Sequence, residues 1–155
     1  MENIYDIDYN RRKNEEEAVN MVSGNQSSLE LFQNQVSQLL LRHRSVLDIL
    51  SKINQTSAAV NRSVTKSVTD CGCISLQASR QPFDQIETLD MVAKEQIPNH
   101  VSGDLCDHCK EYIESQLGKN LFYLTALCTQ LGIGLEEVLQ DEAKKCSTLG
   151  LFNLT

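Results

Sequence analysis

From Ser28 onward the chain sets Leu29, Phe32, Val36, Leu39, Val46, Leu50 and Ile53 in one row, with His43 in the same register. Steps of three and four return a side chain to one face of an α-helix, so the pattern predicts an amphipathic helix with Ser28 as its cap. Val60, Val64 and Val68 prolong the row, and neither Gly nor Pro interrupts it. We therefore expect one helix of about forty residues, kinked or straight. A break at "NQTS", with Ser57 capping a second helix, is the alternative. Gly72 ends this element. "QPFDQIETLDMVAKEQIPN" then predicts a short helix opened by Pro82 and closed by Pro98. Asp104 is the expected cap of the next helix, whose stripe runs Cys106, Cys109, Ile113, Leu117, Leu121, Leu124, Cys128 and Leu131. Gly132 and Gly134 mark a turn. "LEEVLQDEAKKC" forms the last helix, expected to bury Leu135, Val138, Leu139 and Cys146. Its early Glu136 and Glu137 and late Lys144 and Lys145 match the helix dipole.

These elements predict an all-α fold, a bundle of four to five helices with a long N-terminal helix. Residues 1–27 mix charges with Asn, Ser and Gly without a sustained period and read as a flexible tail, leaving 28–150 as a single helical domain. The composition agrees: no Trp, 2 Pro and 7 Gly among 155 residues leave little material for a sandwich or barrel. The stripe from Phe32 to Ile53 is longer than one short bundle can cover, which predicts a homo-oligomer, a dimer or tetramer, joined along it.

Charge narrows the partners. The net charge is −7 and the lysines and arginines are scattered, so no basic face predicts nucleic-acid binding. No apolar run reaches the length of a membrane span. The acidic "MENIYDIDYNRRKNEEE" lacks the apolar region of a signal peptide, so we expect a cytoplasmic protein whose six cysteines are reduced.

Four of those cysteines come in close pairs, "TDCGCISL" and "GDLCDHCKEY". Cys106 and Cys109 fall on a first helical turn, where the positive end of the helix favours thiolate, the form that binds metal. Cys71 and Cys73 supply two more sulfurs on a Gly-containing loop. Four sulfurs suit tetrahedral Zn²⁺, so Cys71, Cys73, Cys106 and Cys109 are the candidate metal ligands. Two other readings stand beside this one: a thiol redox pair, and small buried hydrophobes with unconnected loop thiols. His108 is expected to face solvent, His43 to be a core or interface histidine, and Cys128 and Cys146 to lie in the core. No P-loop, dinucleotide or Ser-His-Asp pattern is present, so no motif supports a nucleotide ligand or covalent catalysis.

The segment "LGKNLFYLTALCTQLGIGLEEVLQDEAKK", residues 117–145, resembles the C-terminal half of the MazG-like all-α nucleoside triphosphate pyrophosphohydrolases. In that family a helix containing a pattern close to E-L-x-D-V-L-F-Y-L-L-A-L-A is followed by an "L-G-I" turn and a helix opening "L-E-E". The resemblance implies that fold, assembly as dimers or tetramers, and Mg²⁺ chemistry on a carboxylate cluster. Aligned through "LFYL", the cluster's Glu and Asp fall on Gln116 and Lys119, which cannot hold the ion. Glu111 and Glu114 lie five residues earlier, rotated by about 140° around the helix. Between Asp48 and Asp70 there is no carboxylate for the other half of the site. Mg²⁺ is therefore not expected. The expectation is a non-catalytic member acting through assembly or binding. An active pyrophosphohydrolase with a rebuilt metal site is the alternative.

Overall fold

Helix-forming rows become helices where a row can be buried, and here the rows close on one another. A computed structural model describes residues 26–40, 44–81 and 97–149. Its elements are α1 (Ser28–Leu39), α2 (Val46–Lys66), a π-helical turn (Ser67–Cys71), β1 (Ile74–Leu76), β2 (Val101–Gly103), α3 (Asp107–Leu131) and α4 (Leu135–Leu149). The mostly helical expectation holds, with one addition, an antiparallel pair of three-residue strands. The helix expected between Pro82 and Pro98, the position of His43, and nearly all of the proposed tail lie outside the described residues.

The forty-residue helix is two helices. Ser27, inside the span read as tail, caps α1 by accepting the Glu30 N–H at 3.2 Å. At Leu40 the backbone leaves helical dihedrals, with φ −75° and ψ 67°. The reason is burial. In a continuous helix Val36 and Ile49 would sit about 20 Å apart along the axis. With the break, Val36, Leu40 and Ile49 close on Ala126 of α3 in one cluster, flanked by Phe32, Ile53, Phe122 and Leu127. Each large apolar side chain so enclosed contributes about 1.5–3 kcal/mol, more than a continuous backbone would gain.

Along α2 the covered positions are Ile49, Ile53, Thr56, Val60, Ser63 and, in the π turn, Ser67. That is a 4-3-4-3-4 seam, displaced from the all-apolar row and half built of hydroxyls. Each hydroxyl is satisfied inside its own helix: Thr56 donates to the Lys52 carbonyl at 2.9 Å, and Ser63 and Ser67 donate to the Val60 and Val64 carbonyls at 2.7 Å. Small side chains bonded back to their own backbone give α3 a polar but saturated surface to pack on. From α3, buried Ile113 and Gln116 and half-buried Asn120 fall at the same three- and four-residue steps. Asn120 donates to the Thr56 and Ser57 hydroxyls at 3.0 and 2.9 Å.

The stripe expected on α3 is covered only in part. Ile113 is buried, whereas Leu117, Leu121, Leu124 and Leu131 are 40–54% exposed. In α4 Leu135 is buried as expected, but Val138 and Leu139 are about half exposed and Cys146 is exposed. Cys128 is half-buried. Gly132 takes the left-handed conformation (φ 68°) that ends α3. Gln33 of α1 clamps the adjoining turn: its amide donates to the Ile133 carbonyl and accepts from the Leu135 N–H, both at 2.8 Å.

Candidate metal centre

The cysteine pairs meet at one end of the small sheet, Cys73 just before β1 and Cys106 soon after β2. The π turn adds one residue per turn to the end of α2, which rotates the succeeding residues by about 100° and turns Cys71 toward α3. Gly72 then reverses the chain at φ 70°, and Cys73 leads into β1. In the ladder Ile74 pairs with Gly103, Ser75 with Ser102 and Leu76 with Val101. This register sets Cys73 beside the strand end from which the chain runs to Cys106. Ile74 is buried under the junction.

Asp104 was the expected cap of α3; the cap is Cys106, with φ −67° and ψ 157°, and helix begins at Asp107. Cys109 lies within the first turn. The four Sγ atoms of Cys71, Cys73, Cys106 and Cys109 lie within 4.8 Å of one another. Those of Cys71 and Cys106, 35 residues apart in sequence, are 3.7 Å apart. Four sulfurs at about 2.3 Å from a tetrahedral Zn²⁺ would be about 3.8 Å from each other. All four residues expected to converge do converge, and among the described residues no other set of three or more His, Cys, Asp or Glu is placed to hold one ion.

The thiols act on one another's acidity. Cys106 is held below the ordinary thiol range, first by the Cys109 backbone N–H it accepts and then by the Cys109 and Cys71 thiols. Cys109 is pushed up to about 12, first by loss of water and then by the Cys106, Cys71 and Cys73 sulfurs. Cys71 feels its largest single effect from the Cys109 thiol, which lowers it, but the Cys106 and Cys73 sulfurs together raise it. Like charges this close repel, so ionisation of one sulfur opposes ionisation of the others. A divalent cation reverses that balance.

Sequence reasoning missed the groups that fix these ligands. The Cys73 thiol donates to the Ser67 carbonyl at 3.7 Å. His108 is exposed and outside the sulfur set, as expected. Of the two positions aligned with the carboxylates of the pyrophosphohydrolases, Gln116 is buried and Lys119 is exposed.

Comparison with protein-family models, with curated proteins and with solved structures found no match. Among the described residues, no helix is long and apolar enough to cross a membrane.

Proposed function

We propose that Cys71, Cys73, Cys106 and Cys109 bind one Zn²⁺ as a structural staple in a MazG-like helical protein that lacks the family's Mg²⁺ carboxylates and works through binding or assembly rather than hydrolysis. The observation that carries the metal reading is the mutual approach of four sulfurs from two distant segments. Soft thiolates in a closed tetrahedral set favour Zn²⁺ over Mg²⁺, which takes oxygen ligands. The hydrolase reading has no comparable support, since the described residues bring no carboxylate cluster together.

Assembly as a homo-oligomer is supported by Leu117, Leu121, Leu124 and Leu131, which repeat at coiled-coil spacing on α3 and are 40–54% exposed. This face differs from the Phe32–Ile53 row, much of which is covered within the chain.

The deciding experiment is metal analysis of protein purified without chelator, paired with Co²⁺ substitution. One equivalent of zinc per chain, and the intense sulfur-to-cobalt absorption of a four-thiolate site, are the expected results. A metal-free chain that takes up neither ion would overturn the reading. Release of pyrophosphate from nucleoside triphosphates with Mg²⁺ would overturn the non-catalytic part. A monomer in light scattering would overturn assembly.

A further inference from the structure

A groove of about 490 Å³ runs between the end of α2 and the start of α3. Its volume falls in the range of small-molecule sites. Arg62, Lys66 and Asp70 line one wall, and His108 and Tyr112 the other. In a chain of net charge −7, this wall sets two cations against one carboxylate, and that carboxylate is already engaged. Asp70 forms an ion pair with Lys66 and accepts the Thr69 hydroxyl at 3.1 Å. No carboxylate among the described residues lies within ion-pair distance of Arg62. Buried Ser63 and Ser67, which also border the groove, turn their hydroxyls to their own helix, so they do not compete for the guanidinium.

We infer that this groove binds a small molecule through an oxyanion, a phosphate or carboxylate group, with Arg62 as the principal contact and Tyr112 supplying a further donor. A guanidinium presents a fork of N–H donors that matches either oxyanion bidentately. Tyr112, about half exposed, offers a ring face for the body of the ligand. Cys71 and Cys109 also border the groove, and a zinc ion on four thiolates carries two negative charges. Arg62 precedes Cys71 by nine residues, about 13 Å along the helix axis. Beyond a screening length of about 8–10 Å that repulsion is weak, whereas an oxyanion on Arg62 is at contact distance. The ligand therefore sits with its anionic group at the Arg62 end, away from the metal centre.

The test is an NMR titration of the full ¹⁵N-labelled chain, as purified with its metal, with inorganic phosphate and separately with acetate at constant ionic strength. At least one probe should give saturable shifts at the amides of Arg62, Ser63 and Tyr112, with Kd of about 1 mM. The tighter probe identifies the class of anion. Arg62→Gln should weaken that binding at least about tenfold, and Arg62→Lys should fall between, because an ammonium cannot form the fork. Lys144→Gln, remote in sequence and paired with Asp141, should leave it unchanged. Arg62 is exposed, and an unchanged spectrum elsewhere verifies folding of the variants. Zinc content of Arg62→Gln, measured on the same sample, should stay at the wild-type level, which separates loss of the anion site from loss of the metal site. Shifts linear in both probes, or saturation that persists unchanged in Arg62→Gln, would overturn the inference.

Discussion

Gly103 stands against the Cys73 carbonyl so closely that a β-carbon on it would lie 2.7 Å from that oxygen. Its φ of +88° is also one that side-chain-bearing residues rarely adopt. Gly103→Ala meets both obstacles, and the neighbouring atom is backbone, which cannot swing aside. The cost is expected to be about 2 kcal/mol or more, combining φ strain with displacement of the ladder. Because the ladder sets the spacing between Cys73 and Cys106, zinc affinity should fall by at least about tenfold although no ligand is removed. Competition with a chromogenic chelator measures it. Wild-type affinity in Gly103→Ala would mean that the sheet does not position the sulfurs.

Leu39 and Leu40 show how the apolar row was legible and where it misled. The row on α1 points to Leu39, which is 68% exposed, while Leu40 is 5% exposed. Leu40→Ala should cost about 2–4 kcal/mol, and Leu39→Ala under about 0.5, as read by chemical denaturation. Equal costs would contradict the observed break after α1.

The same displacement explains what else the sequence could and could not show. Helical character, the turn at Gly132, the stop at Gly72 and the convergence of the cysteines were all readable, because each rests on local chemistry or spacing. The seam of α2 was not. Thr56, Ser63 and Ser67 occupy core positions there because their hydroxyls bond back to their own carbonyls, and a search for apolar residues passes over them. The short strands were also hidden, since three residues are too few to show alternation. The cap at Cys106 in place of Asp104 follows from the fold: the last residue before α3 is held where the sulfurs meet.

Asn120 is the polar tie between α2 and α3, reaching Thr56, Ser57 and, at 3.4 Å, the Ile53 carbonyl. Asn120→Leu removes the donor and leaves two hydroxyls and a carbonyl facing an apolar side chain. A loss of about 1–3 kcal/mol is expected, lowering Tm by several degrees. Zinc content should not change, since the tie lies more than two helical turns from Cys109. A variant as stable as the parent would show that water replaces the amide without cost.

On the proposed four-sulfur zinc site, Cys71→Ser and Cys106→Ser should each abolish stoichiometric zinc. A staple between segments 35 residues apart contributes stability that the unfolded chain lacks, so each change should cost several kcal/mol in the presence of zinc. The double variant should cost little more than either single one, because the second change acts on a site already broken. Cys146→Ser and Cys128→Ser, both outside the cluster, should retain the metal. Additive losses from the two single changes would mean that the cysteines act independently.

The acidity of the free thiols fixes how metal binding depends on pH. Cys109, moved from 9.0 to about 12, and Cys71, also raised, are protonated at neutral pH in the metal-free chain. Zinc binds thiolates, so its uptake must displace at least those two protons, and affinity should rise with pH by about two or more logarithmic units per unit of pH. The linkage to stability differs between the two forms. In the metal-free chain, the raised Cys109 contributes stability that is whole below 9.0 and fades as pH climbs through about 12. That contribution is constant between about pH 5 and about pH 8. In the zinc-loaded chain, protons compete with the ion, so stability should increase with pH over the same interval. Calorimetry of zinc uptake in buffers of different ionisation enthalpy counts the protons released, and denaturation with and without zinc across that interval reads the stability. Fewer than two protons released per ion, or equal pH dependence of the two forms, would exclude a four-thiolate centre at these residues.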